Sequence, residues 1–314
     1  MIITLTPNTG IDHTIQVSNF QLHSTIRAVD SAWGMGGKAT DVSWILGKLG
    51  IPNRALGFAA GTDGSRMERM LQERGVETDF VWVGGETRLN TVLVVSGEGQ
   101  STITTSSLKV SPPHISELTA RFQKALQDAS CVVMGGSLPS SVPIEFYAQA
   151  IAQAREAGVP VIFDSSGPTL AAGIKSRPNL VKPNLAELGE LLGYVPTYRE
   201  EVLEAARRLR DEFGSDVIVT LGAEGAIAVF EKGSYFISPV SSPVVSSAGA
   251  GDGVLAGMAL AYSHKESPQY GLQHGFALAG AILGTLATAD FKIEAYYDLL
   301  PQIRITLLED GTGG

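Results

Sequence analysis

Short apolar runs alternate with longer amphipathic ones along most of the chain. Segments 2–5, 55–59, 131–134, 159–163, 180–182, 217–221 and 226–230 are brief, apolar and flanked by turn formers, the pattern of buried strands. Between them, segments 39–49, 65–74, 115–127, 143–157, 186–192 and 199–213 carry apolar residues at helical spacing. Strand followed by helix, repeated, predicts an α/β fold: a mainly parallel central sheet with helices on both faces. Beyond Ala250 the pattern is almost wholly helical. Segments 11–33 and 80–105 break the alternation, and the second switches between apolar and polar residues with Gly84-Gly85 and Gly97-Glu98-Gly99 as turn signals. Together they predict a small antiparallel β flap acting as a lid, with Gly34, Gly36 and Gly37 placed for a hinge. Residues 1–310 thus read as one domain with the lid segments inserted, and 311–314 as a tail.

With 314 residues, 44% hydrophobic and 18% charged, the chain can bury a large core and is not disordered. No run approaches the roughly 18 apolar residues of a spanning helix. The start, Met1-Ile2-Ile3-Thr4-Leu5, reads as a buried strand without a basic leader. These features predict a cytoplasmic protein with no membrane partner. The single Cys131 lies in an apolar run, so no disulfide forms within the chain. A net charge of -9 argues against nucleic acid as a partner. Any anionic substrate must then be held by a few local cations. The five histidines lack metal-ligand spacing.

The most telling chemistry is in Ser246-Ser247-Ala248-Gly249-Ala250-Gly251-Asp252-Gly253, ahead of a helical run of small apolar residues. Glycines let the backbone turn tightly against a ligand, and the helix that follows aims free N–H groups and the positive end of its dipole at an anion. Asp252 is out of place beside a phosphate unless it takes a proton from an attacking hydroxyl. Taken alone, the run also reads as a capped helix with an acidic first turn. In parallel sheets ligands bind beyond the carboxyl ends of the strands. Thr6-Pro7-Asn8 with Asp12, Gly135-Gly136-Ser137-Leu138-Pro139 and Asp164-Ser165-Ser166-Gly167 all fall there. In Lys182-Pro183-Asn184-Leu185-Ala186-Glu187 an amide and a carboxylate share one side of a helix start. They could serve magnesium through water or form an ordinary capping box, and spacing alone favours the box. Thr220-Leu221-Gly222-Ala223-Glu224-Gly225 would admit a nucleotide or make a hairpin turn. Gly34-Met35-Gly36-Gly37-Lys38-Ala39 fits a loose dinucleotide pattern, but no clear strand precedes it.

These pieces occur together in the order found in the ribokinase-like, or PfkB, family of carbohydrate kinases, which the chain resembles over nearly its whole length. The closest likeness is to the branch acting on ketohexose phosphates. The resemblance implies ATP-dependent phosphorylation of a sugar hydroxyl, with fructose 1-phosphate or tagatose 6-phosphate as acceptor and ATP and Mg2+ as cofactors. It makes Asp252 the catalytic base and Gly249, Ala250 and Gly251 the anion hole, and gives the magnesium to Asn184 with Glu187. Lys182, Asn184, Thr220, Gly222, Glu224 and Gly225 would line the ATP site, with Phe276, Ala279 and Gly280 beside the adenosine. On the sugar side stand Asp12, Arg27, Gly37, Lys38, Asp41, Arg88, Asn90 and Ser137, the three cations holding the phosphate already on the sugar. Paired lids would make a homodimer.

One departure matters. The branch carries Gly-Gly-Lys-Gly, a further residue, then Asn, whereas this chain reads Gly36-Gly37-Lys38-Ala39-Thr40-Asp41. A carboxylate beside a phosphate costs on the order of 1 to 4 kcal/mol at effective dielectrics of about 80 to 20, unless Arg27 or Lys38 pairs with it. The start, Thr6-Pro7-Asn8-Thr9-Gly10, also differs from the Asn-Pro-Ala usual ahead of the aspartate. A kinase for an unphosphorylated sugar or nucleoside is therefore the second reading, and a non-catalytic sugar or nucleotide sensor the third.

Overall fold

The computed structural model describes residues 1–105, 108–239 and 243–310. In chain order the strands are β1 (Ile2–Asn8), β2 (Gly10–Val17), β3 (Asp30–Gly36), β4 (Asn53–Ala59), β5 (Glu77–Trp82), β6 (Gly84–Gly85), β7 (Arg88–Val95) and β8 (Gly99–Ile103). They continue with β9 (Leu108–Lys109), β10 (Cys131–Gly135), β11 (Val161–Asp164), β12 (Leu180–Val181), β13 (Asp216–Thr220), β14 (Ala226–Phe230), β15 (Gly233–Ile237) and β16 (Ile305–Asp310). The helices are α1 (Lys38–Lys48), α2 (Gly61–Glu73), α3 (Pro112–Ala125), α4 (Phe146–Glu156), α5 (Gly167–Ile174), α6 (Leu185–Leu192), α7 (Arg199–Phe213), α8 (Ala250–His264), α9 (Pro268–Leu283) and α10 (Ile293–Leu299).

The main sheet has ten strands in the order β16-β15-β14-β13-β12-β11-β10-β1-β4-β5. Pairings from β5 through β13 are parallel, and those of β14, β15 and β16 are antiparallel. Successive residues of the central strands enter different cores, as the period-2 geometry of a strand requires. Ile2, Cys131, Val133, Ile162 and Ile218 join α1, α2, α8 and α9 on one face. Ile3, Leu5, Val132, Met134, Phe163 and Val219 join α3, α4, α5 and α7 on the other. Both faces are covered, which is why these strands read as continuous apolar runs. Cys131 is buried in the first of these cores.

The lid is a separate sheet in the order β3-β2-β7-β8. Its two outer pairings are antiparallel as expected, but the central pair β2–β7 runs parallel, in a register that sets Asp12 beside Asn90. Its second segment also starts later than the sequence pattern suggests, because Glu77–Trp82 is the edge strand of the main sheet. Two further main-sheet strands, β15 and β16, have no counterpart among the predicted runs, and β16 interrupts the otherwise helical carboxyl-terminal region. A strand does precede the Gly34–Ala39 segment, but it is the lid strand β3, paired antiparallel with β2, and not a strand of the parallel sheet as a dinucleotide fold needs. Among the described residues no helix is long and apolar enough to cross a membrane.

Candidate active site

The Ser246–Gly253 run folds as the start of α8. Gly249 caps it in the left-handed region, with φ 84. A Cβ there would lie 2.4 Å from the backbone nitrogen of Ala289, so the tight fit of the 284–290 loop demands glycine. Ala289 N donates to Ala248 O at 3.3 Å and ties that loop to the turn. The N–H groups of Ala250, Asp252 and Gly253 donate to the carbonyls of Ser247 and Gly249. Gly251 N–H has no acceptor among the described residues, and Lys182 Nζ lies 3.3 Å from the place a Cβ on Gly251 would take. The α9 helix braces Gly253, since Ala279 N stands 2.8 Å from a Cβ built there. Phe276 and Ala279 are half-buried on that helix and Gly280 is buried in it.

A charged cluster lies beside this turn. Asp164 ends β11, is 1% exposed, accepts from Lys38 Nζ at 2.7 Å and forms an ion pair with Lys182 Nζ at 2.9 Å. Burial pushes its carboxyl up, but the two ammonium groups outweigh that and hold it below the ordinary carboxylate range. Lys38 also reaches Glu187 Oε1 at 3.9 Å. Burial lowers its pKa, and Asp164, Asp252 and Glu187 together reverse the sign, so it stays charged. Lys38 therefore serves the Asp164 side of the cleft and does not pair with Asp41. Asp252 is buried, and that burial, set against Lys38 and Lys182, pushes its carboxyl up to about 7.

Most of the residues expected on the sugar side meet at the lid's base. Asp12 Oδ1 accepts from Asn90 Nδ2 at 2.7 Å, and Asn90 Oδ1 accepts from Thr104 Oγ1 at 2.6 Å. A Cβ on Gly36 would lie 2.4 Å from Asp12 Oδ1, so this glycine is what admits the carboxyl. Burial raises the Asp12 pKa despite its bond to Asn90, the nearby Thr288 hydroxyl and the charge of Arg88. Arg88 stands between Asp12 and Asp41 with a buried Nε that has no partner. Gly37 caps α1, and Ser137 Oγ accepts from Asn8 Nδ2 at 2.9 Å. Arg27 stays outside this group, exposed on the loop between β2 and β3.

At the far end of the cleft, Asn184 and Glu187 form the capping box of α6. Glu187 N donates to Asn184 Oδ1 at 2.9 Å and Asn184 N to Glu187 Oε2 at 2.8 Å. Thr220 bridges to Asn184, and Gly222, Glu224 and Gly225 make the turn after β13. Among the described residues, no group of three or more His, Cys, Asp or Glu is arranged to hold a metal.

Four contributors were not singled out from the sequence as site residues. Asp164 carried the right signal, a polar residue just after a strand. Thr288 and Ala289 lie in a loop with no turn signature, and only the close approach to Gly34 and Gly249 shows their part. Gln100 of the lid accepts through Oε1 from Ser246 Oγ at 3.0 Å and Ser247 N at 2.9 Å, joining β8 to the segment before the α8 turn.

A doubly wound sheet whose strand ends gather backbone amides, buried carboxyl groups and two ammonium groups under a β lid defines a kinase for a hydroxyl-bearing small molecule. The pfkB family carbohydrate kinase profile matches residues 7–294. The chain belongs to that family and is an ATP-dependent carbohydrate kinase. It is 32% identical over 314 residues to the 1-phosphofructokinase of Bacillus subtilis (strain 168), covering 98% of this chain and 100% of that one. It is likewise 32% identical over 308 residues to that of Borreliella burgdorferi, covering 97% and 98%. Its fold is similar to that of a possible 1-phosphofructokinase from Thermotoga maritima, with TM-score 0.88, 26% identity and coverage of 98% and 99%. Phosphofructokinase-2 from Escherichia coli, solved in complex with potassium, shares the fold at TM-score 0.85, 24% identity and coverage of 96% and 98%.

Proposed function

We propose that the protein transfers the γ-phosphoryl group of ATP to the free primary hydroxyl of fructose 1-phosphate, with Asp252 as general base. The observation that carries this reading is the juxtaposition at the start of α8 of a buried carboxyl, a free Gly251 N–H and the Lys182 ammonium. Phosphoryl transfer asks a protein to align donor and acceptor and to neutralise charge on the moving group. Asp252 takes the hydroxyl proton as the new O–P bond forms, the bond to the bridging oxygen breaks, and its electron pair leaves on ADP. Relatives named 1-phosphofructokinase favour fructose 1-phosphate over tagatose 6-phosphate. Arg88, buried with an unspent Nε, is the cation this chain offers to the sugar's own phosphate.

The nucleotide would lie along Lys182, Asn184 and the Thr220–Gly225 turn. The donors nearest its phosphates, Asn184 and Glu187, are oxygen ligands too few for a closed cation cage, which fits a hydrated hard cation. When bound, magnesium would screen the phosphate charge, held by these two residues through water. The lid excludes water, which would otherwise accept the phosphoryl group. Its exposed Phe20, Leu22, Val29 and Ile103 support pairing with a second copy.

An ADP-release screen with fructose 1-phosphate, fructose 6-phosphate, tagatose 6-phosphate, free sugars and nucleosides tests the substrate, with fructose 1-phosphate expected to give the highest kcat/KM. A free sugar or nucleoside in first place would overturn the phosphosugar assignment. Gly249→Ala tests the anion-binding turn. Its φ 84 and the 2.4 Å approach of Ala289 N leave no room for a methyl group. We expect a stability loss of about 1 to 3 kcal/mol from backbone strain. Displacing the amides by an ångström should lower kcat by roughly 100-fold. Full activity in this variant would remove the turn from the mechanism.

A further inference from the structure

Asp41 lies in the first turn of α1, only 5% exposed, and its carboxyl is buried beside that of Asp252, which is itself buried at the start of α8. Its Oδ1 has no partner. Two carboxyl groups buried side by side do not both ionise, and the one that keeps its proton can donate a hydrogen bond to the other. The surroundings decide which. Asp41 faces the carboxyls of Asp252 from α8 and Asp12 from β2, and its one nearby cation, Arg88 from β7, is shared with Asp12. Lys38 on its own helix is bound to Asp164. Asp252, by contrast, faces the ammonium groups of both Lys38 and Lys182, with Asp164 between them. Negative charge is therefore better placed on Asp252, and the proton on Asp41.

We propose that Asp41 is a positioning residue acting through Asp252: as a neutral carboxylic acid it donates a hydrogen bond to one oxygen of the base and leaves the other free for the acceptor hydroxyl. This rests on the reading of Asp252 as the base. A protonated aspartate presents one donor and one acceptor, the same pair as the amide usual at this position, and brings no charge toward a sugar phosphate. The repulsion expected from the sequence requires an ionised Asp41. Burial, together with Asp252 and Asp12, pushes its carboxyl well above the ordinary range. In turnover the hydroxyl proton passes to Asp252 while the proton of Asp41 stays in place.

The test compares the wild type with Asp41→Asn, which still donates but cannot ionise, and Asp41→Leu, which does neither. Wild-type kcat should fall on the alkaline side as Asp41 loses its proton, and Asp41→Asn should abolish that limb. Asp41→Leu should have a kcat roughly tenfold or more below that of Asp41→Asn, the size of a hydrogen bond to a charged group. In substrate-free protein in mildly alkaline buffer, an infrared carbonyl band of a protonated carboxylic acid should be present in wild type and absent in Asp41→Asn. An unchanged band and an unchanged alkaline limb in Asp41→Asn would overturn the proposal, as would equal kcat in the two variants. Because the band is read without sugar or ATP, a failure of the kinase reading is told apart from a failure of the Asp41 assignment.

Discussion

Asp252→Asn is expected to lower turnover by about 10²- to 10⁴-fold, the range for removal of a positioned general base, while ATP affinity stays within a few-fold. The substitution keeps the size and buried position of the side chain and removes only its capacity to take a proton. The contacts proposed for the nucleotide lie on other elements, α6 and the turn after β13, so they should survive. Since burial raises the base to about 7, wild-type activity should rise with pH through neutrality. It should fall about tenfold per pH unit well below that point, as for one essential ionisation. The stability effect has the opposite sign. A carboxyl raised in the folded state holds its proton there after the unfolded chain has lost its own, so Asp252 weakens the fold as pH rises through that window. Asp252→Asn should therefore be more stable than wild type at mildly alkaline pH, a gain bought by loss of the reactive group. Turnover within tenfold of wild type would remove Asp252 from the base role.

The strands legible in the sequence are those buried on both faces, because only there does every residue have to be apolar. Edge strands face no such demand. Glu77–Trp82 begins with polar residues and Ile305–Asp310 leaves Leu307 and Leu308 exposed, so neither stands out from its surroundings. Alternation in the lid segments revealed strands but not their direction, which is why the parallel β2–β7 pair was not foreseen. The site divides in the same way. The Asn184–Glu187 box and the Gly249 turn are local in sequence and readable from spacing. The choice of Lys38 for Asp164, and of Asp41 for Asp252, depends on how α1, β11 and α8 are brought together by the sheet. Sequence neighbours carry no signal of either pairing.

Asp164→Asn is expected to destabilise the protein by about 3 to 5 kcal/mol, as removal of one partner from a buried ion pair does. Lys182 is 4% exposed and Asp164 is 1% exposed, so the ammonium left behind is shut off from water and keeps only the more distant Asp252 as a counter-charge. An amide at this position would also turn its NH2 group toward one of the two ammonium groups. Because the folded-state carboxyl lies below its ordinary value, its stabilising contribution is complete above the unfolded pKa. It is lost as pH falls through the folded one. Urea unfolding at neutral pH should thus separate the variant clearly from wild type, and the gap should close in acid. Replacing both partners, as Asp164→Leu with Lys182→Met, should recover much of the loss, since no buried charge is then left unpaired. That recovery would leave turnover low. The ion pair holds Lys182 beside Gly251, and an apolar pair of similar volume restores the packing without restoring a cation to the place proposed for the phosphoryl group. A neutral-pH midpoint unchanged in Asp164→Asn would mean that Lys182 can find solvent or another acceptor, and that its position under the turn is not fixed by Asp164.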